Sequence, residues 1–268
     1  MNPLDWDLGN LPPGLPWGGV DEAGRGAWAG PVVAACAVID HAAAARWGHV
    51  LREARDSKLV APEKRASLAR ELKMVLPAWG VAEVDNLTID RDNILEASLS
   101  AMRQAVDACP VKPRILLVDG NRAPRTGLLE RLVVDGDAIS CAVACASILA
   151  KAHRDALMEG LEDVFPGYGF RANKGYGTPA HRKGLAGLGP SPVHRVSFAP
   201  VAALQQADED LLEPLAAAME ACNTLADLQA WVEVRLRPAY GRLRPAWIAG
   251  LRSRYAERLA VLAGEDQG

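Results

Sequence analysis

Trp17-Gly-Gly-Val-Asp21-Glu22-Ala-Gly24-Arg25-Gly26 is the stretch from which the rest of this chain can be read. Its first residues form the run-up of a strand. Two acids then pass directly into a glycine turn whose backbone is free to lie against a ligand. On the C-terminal side, Gly30 to Ile39 carries Val32, Val33, Val38 and Ile39 between a glycine and Asp40, the pattern of a buried strand. The two segments are expected to be neighbouring strands. Farther out, Ala61-Pro-Glu-Lys-Arg opens a helix with Leu68, Leu72 and Val75 on one face, ended by Pro77. Trp79 to Val84 reads as a strand and Ile94 to Val106 as a helix with apolar positions at 94, 97, 101, 102 and 105. Ile115 to Val118 is a short buried strand that delivers Asp119, and Ser140 to Leu161 is a long helix, small and apolar early. Strands alternating with helices predict an α/β domain with its active groups at strand ends.

The chain has 268 residues, half of them apolar, enough to bury one large core with a small appendage. No apolar run approaches the ~20 residues that span a bilayer, and the start lacks a signal-peptide pattern, so a cytoplasmic protein is expected. Five cysteines without a Cys-x-x-Cys pair predict reduced, buried thiols. The net charge of −3 conceals basic clusters at 174–195 and at 235–258, the latter with seven arginines. Local excess of this kind suits a polyanion, although arginines also merely solvate helix faces. A boundary is expected near Pro200, giving a lead-in over 1–17, a catalytic domain over 18–200 and a C-terminal helical subdomain over 201–268. In the last, Thr224 and Asp227 have capping-box spacing, and a final helix is expected near Trp247 to Leu262.

Asp21, Glu22, Asp119 and Asp137 each follow an apolar run or sit in a glycine turn, so folding could gather them at one sheet edge. Carboxylates forced together repel and raise one another's pKa unless a divalent cation compensates them, and an all-oxygen ligand set selects Mg²⁺ or Mn²⁺ over zinc. Two such ions can activate water on one side of a phosphodiester and stabilise the leaving oxygen on the other. Taken singly, Asp119-Gly120 and Asp135-Gly136 are ordinary turn dipeptides.

In combination, Gly19-Val-Asp-Glu-Ala-Gly-Arg-Gly, Arg55-Asp-Ser-Lys-Leu59, Leu117-Val-Asp-Gly-Asn121, Gly136-Asp137, Ala146-Ser-Ile-Leu-Ala-Lys151 with Arg154-Asp155, Lys174-Gly-Tyr-Gly-Thr178 and His194-Arg-Val-Ser-Phe198 occur in an order that resembles the bacterial ribonuclease HII family over 18–200. The resemblance implies a ribonuclease H-like mixed β-sheet flanked by helices, with the four carboxylates as metal ligands. It also implies cleavage of RNA in RNA/DNA hybrids and nicking 5′ of a single ribonucleotide in DNA, leaving 3′-hydroxyl and 5′-phosphate ends. Gly24-Arg25-Gly26 resembles the family turn that reaches the ribose 2′-hydroxyl, and Tyr176 resembles the tyrosine that packs on the sugar at the RNA-to-DNA junction. Ser57, Lys58, Lys151 and Arg154 are expected to hold phosphates. Ala27 and Trp28 stand where many relatives have proline and leucine. His153, His181 and His194 lack metal-ligand spacing and read as structural or phosphate-proximal.

A dinucleotide-binding reading fails because the third glycine after Gly24-x-Gly26 is Gly30, and because Asp21-Glu22 would repel a pyrophosphate. The sister family ribonuclease HIII would carry an extra N-terminal domain, for which a catalytic segment at residue 21 leaves no room. A non-catalytic hybrid-binding protein would need the basic surfaces and not the carboxylates. The expected partners are RNA/DNA hybrid and ribonucleotide-containing duplex, with a monomeric protein. A sliding-clamp partner stays open, with no clear clamp-binding motif at the C-terminus.

Overall fold

A computed structural model describes residues 1–54, 60–240 and 243–265. In chain order its elements are α1 (Pro3–Asn10), β1 (Trp17–Ala23), β2 (Val32–Ile39), α2 (His41–Leu51), α3 (Pro62–Val75), β3 (Ala78–Val84), α4 (Asn86–Asp92), α5 (Ile94–Asp107), β4 (Ile115–Asp119) and β5 (Leu129–Val133). Then follow α6 (Gly136–Ile139), α7 (Cys141–Val164), α8 (Phe170–Asn173), α9 (Pro179–Leu188), α10 (Ala199–Glu220) and α11 (Leu225–Trp231). A π-helical turn (Val232–Leu236), α12 (Arg237–Ala239) and α13 (Pro245–Glu265) complete the chain.

The five strands form one mixed sheet in the order β3-β2-β1-β4-β5, with β1 at its centre. β1 and β2 are antiparallel, with Trp17 opposite Ile39 and Asp21 opposite Ala35. β1 and β4 are parallel, with Val20 opposite Val118, so Asp21 and Asp119 leave the ladder side by side. β2 is apolar at every position because both its faces are covered. On one face Trp17, Val33, Ala35, Ala37, Ile115 and Leu117 pack against α7. On the other, Val20, Val32, Ala34, Cys36, Leu116 and Val118 pack against α5.

The small residues that open α7 have a geometric purpose. A Cβ on Gly19 would collide with the backbone of Ala142 and Val143, so helix and central strand meet backbone to backbone. Cys141 and Cys145 fill this close approach as small buried thiols, and all five cysteines are free and buried, as expected.

Both flanks of the 18–200 segment continue into packed structure. Within the first 17 residues, Leu4 and Leu11 are buried in the α7 core, and Asp7 accepts from the Trp17 indole at 3.1 Å and the Ala142 amide at 3.0 Å. α10 joins the two parts: near its start Val201 packs in one cluster with Met158, Phe170 and Leu185, and toward its end Leu215 and Met219 pack in a C-terminal cluster with Trp231. The Thr224–Asp227 capping box forms reciprocally, each bond 3.1 Å. No described helix is long and apolar enough to cross a membrane.

Candidate active site

Alternation along the strands separates the acids. Asp21 and Asp119 share parity with Trp17 and Leu117 and face α7, whereas Glu22 shares parity with Val20 and faces the α5 side. Asp21 is buried beneath Ser147 of α7, whose hydroxyl donates to it, and accepts the Glu22 amide at 2.7 Å. Even so its carboxyl is held well above the ordinary range, first by burial and then by the charges of Glu22 and Asp119. Glu22 is raised chiefly by burial and further by Asp119, against the opposing charge of Arg25 at 3.5 Å. Asp119 accepts the Gly136 amide at 2.8 Å, which ties the end of β4 to the turn carrying the buried Asp137. Asp21, Glu22 and Asp119 therefore meet at one sheet edge, and Asp137 lies in the turn tied to it.

This donor set fits a hard divalent cation: every group is an oxygen, three carboxylates feel one another's charge, and one loosely held guanidinium faces them. Among the described residues, no three His, Cys, Asp or Glu side chains are drawn close enough to enclose an ion. Asp21, Glu22 and Asp119 nevertheless lie near enough to act on one another's charge.

The glycine turn is built from outside. Gly24 adopts φ +92°, and a Cβ there would strike the Arg154 guanidinium. Arg154 is fully buried and donates to three carbonyls, Pro31 at 2.9 Å, Lys174 at 2.8 Å and Ala29 at 3.1 Å. Two of these bonds, to Pro31 and Ala29, hold the 24–31 loop. Arg195, equally buried, donates to Gly30 through Nε and Nη2 at 3.0 and 2.9 Å and to the Arg25 carbonyl at 3.0 Å. Burial lowers both guanidinium pKa values, that of Arg195 to about 9. Sequence reasoning gave Arg195 no role, since burial of an arginine leaves no periodic signal.

Tyr176 stands 36% exposed, which excludes a core role. Lys151 Nζ and the Arg154 guanidinium carbon each lie 5.6 Å from its ring centre. Its loop joins the glycine turn through the Trp28 amide, which donates to Gly175 at 2.8 Å. Lys151 is paired with Asp155 at 2.6 Å, and Asp155 also receives Arg65 at 2.9 Å. Ser57 and Lys58 lie outside the described residues. The C-terminal arginines are mostly committed internally: Arg258 donates to Cys222, Arg237 pairs with Glu233, and Arg244 is buried and donates to Leu185.

Mixed sheet and acid-lined edge together define a protein of the ribonuclease H class. Residues 18–201 match the family model described as Ribonuclease HII. A Ribonuclease HII of Rhizorhabdus wittichii is 50% identical over 189 residues, covering 70% of this chain and 90% of that protein. One from Caulobacter vibrioides is 44% identical over 185 residues, covering 69% and 85%. The solved ribonuclease H2 of Pyrococcus horikoshii superposes with a TM-score of 0.63 at 26% identity, covering 72% of this chain and 98% of that one. The chain belongs to the ribonuclease HII family, and it is a metal-dependent ribonuclease H that cleaves RNA/DNA hybrids as an endonuclease.

Proposed function

We propose that the protein nicks duplex DNA on the 5′ side of a single embedded ribonucleotide, besides cleaving hybrid RNA, and leaves 3′-hydroxyl and 5′-phosphate ends. The observation that supports this reading is the meeting of Asp21 and Asp119 at the ends of adjacent parallel strands with Glu22 beside them, near enough that Asp119 acts on the charge of both neighbours. In it, Asp21, Glu22, Asp119 and Asp137 hold two Mg²⁺ or Mn²⁺ ions. The chemistry supplied by bound metal is activation of water and stabilisation of the leaving oxygen.

The chain's own residues do the rest. Ser147 orients Asp21, and the Gly136 amide orients Asp119. Gly24-Arg25-Gly26 presents backbone to the ribose 2′-hydroxyl, the group that separates RNA from DNA, on a loop fixed by Arg154 and Arg195. Tyr176 offers an exposed ring to the following deoxyribose. Lys151 and Arg25 supply positive charge to the flanking phosphates without reading sequence. We read residues 18–200 as the catalytic unit, the C-terminal helices as an appendage to it, and the protein as a monomer.

The test is cleavage of an end-labelled DNA duplex containing one ribonucleotide, with Mg²⁺, Mn²⁺ or chelator, beside an all-DNA duplex. Metal-dependent nicking 5′ of the ribonucleotide alone is expected. Tight binding without nicking would instead make this a hybrid-binding protein.

A further inference from the structure

Two histidines outside the acidic edge form a hydrogen-bond relay that ends at Tyr176. His181, in the first turn of α9, and His194, in the segment after it, are both essentially without solvent exposure. Their Nε2 atoms lie 3.0 Å apart. The Ser191 amide donates to His194 Nδ1 at 2.9 Å, and because a backbone N–H is only a donor, the His194 proton must sit on Nε2. That proton points at His181 Nε2, which therefore accepts, leaving the His181 proton on Nδ1. From there it is donated to the Tyr176 carbonyl at 3.0 Å. Each link fixes the next, so the polarity runs one way from Ser191 to Tyr176.

A second proton on either ring would set one N–H against another, so the relay exists only with both rings neutral. The surroundings favour that state: Phe170 and Tyr168 pack against both rings, and burial lowers both pKa values, that of His194 to about 4.

The end point of the relay needs such support. Tyr176 lies between Gly175, at φ +82°, and Gly177, so its own backbone is intrinsically loose. Its amide donates to Asn173 at 2.9 Å, and its carbonyl accepts Thr178 at 2.8 Å together with His181. The Trp28 ring fills the space that a Cβ at Gly177 would need and lies 5.7 Å from the His181 ring. The loop is thus wedged on one side by Trp28 and anchored from beneath by the histidines.

We infer that His181 and His194 are positioning residues that fix the Tyr176 backbone, and through it the exposed ring, so that selectivity for an isolated ribonucleotide depends on this buried pair. The inference rests on the reading of Tyr176 as the junction residue.

The imidazole donor at Nδ1 and the acceptor at Nε2 can be tested separately, since an asparagine amide overlays the former and a glutamine amide the latter. His181→Gln should lower kcat/KM for a duplex with one ribonucleotide about tenfold while changing cleavage of a continuous hybrid less than about threefold; His181→Asn, which keeps the donor to Tyr176 but loses the acceptor for His194, should fall between wild type and His181→Gln on the first substrate. Equal effects of the two variants, or parallel losses on both substrates, would overturn the relay. Tyr176→Ala measured alongside separates the two ideas: an unchanged substrate ratio there means that the junction reading has failed. A changed ratio there, with His181→Gln silent, removes the relay alone. If the variants do not fold, ¹⁵N spectra of the wild-type imidazoles decide: opposite neutral tautomers, Nδ1–H at His181 and Nε2–H at His194, are expected, and matching tautomers or an imidazolium at pH 7 would refute the assignment.

Discussion

At the ends of β1 and β4, Asp21, Glu22 and Asp119 sit close enough to act on one another's charge, with burial raising the proton affinity of the first two, whereas around the adjoining glycine turn Arg154 and Arg195 are buried and donate to backbone carbonyls. The first arrangement gathers like charges and so favours a ligand of opposite sign. The second uses buried charge to order backbone that glycine leaves loose. Charged residues in two neighbouring regions thus have opposite purposes, and the difference lies in whether their hydrogen-bonding capacity is already filled.

The sharpest way to break this contrast is Asp21→Asn. Removing one carboxylate should lower kcat by about a thousandfold or more, equivalent to ~4 kcal/mol, while leaving hybrid binding in place. The same change should raise the metal-free melting temperature, because repulsion at the edge is relieved. Retained turnover would show that the edge is not the site.

On the other side of the comparison, Arg154→Met strands the carbonyls of Pro31, Ala29 and Lys174 in the interior. Denaturant unfolding should register a loss of about 3 kcal/mol or more. A loss below about 1 kcal/mol would mean that the loop holds itself and that Arg154 is available to substrate after all.

Asp7 sharpens the contrast, being a buried carboxylate remote in sequence from the acidic edge. Burial raises its pKa from 3.8 to about 6, although Trp17 and Ala142 donate to it. A folded-state value above the unfolded one means that the native protein retains a proton the unfolded chain has lost. The resulting stabilisation is complete below about pH 4 and disappears as pH rises through 6, a fall of ~3 kcal/mol. Asp7→Asn should flatten that part of the stability curve relative to wild type; identical slopes would refute the assignment.

How far the sequence reveals all this depends on where each signal resides. β2 and β4 are legible because burial on both faces writes an uninterrupted apolar run, and α5 because one face packs on the sheet. β5 is not, since as an edge strand carrying Glu130 and Arg131 it has no apolar face to betray it. α1 hides behind prolines and only eight residues, and α9 behind Gly184 and Gly187, which read as loop. Within the site, the acids are visible because each stands at the end of an apolar run or in a glycine turn. The part Arg154 plays in ordering the loop is not legible, because its spacing resembles that of any exposed basic residue and only burial reveals the carbonyl contacts. The His181–His194 relay joins residues 13 apart through tertiary packing alone.

Tyr176→Ala probes the boundary between the two regions, since its ring is exposed but its backbone belongs to the anchored loop. Losing ring contact with the sugar should cost about 1.5 kcal/mol in discrimination between a single ribonucleotide and a continuous hybrid, no less than His181→Gln, with an unchanged melting temperature. A large drop in stability would return the ring to a structural role.

The smallest effect should come from the C-terminal arginines, whose number suggested a grip on the duplex. Exposed ion pairs such as Arg237–Glu233 contribute little, and Arg258 already donates to the Cys222 carbonyl at 2.7 Å. Each cation that neutralises a phosphate adds nearly one unit to the slope of log affinity against log salt. Replacing Arg235, Arg252 and Arg254 together by alanine leaves the buried Arg244 and the helical core untouched. If these side chains are surface charge, the slope should change by less than about one unit; a change approaching three would mean that all of them meet phosphate and that the appendage shares in holding the duplex.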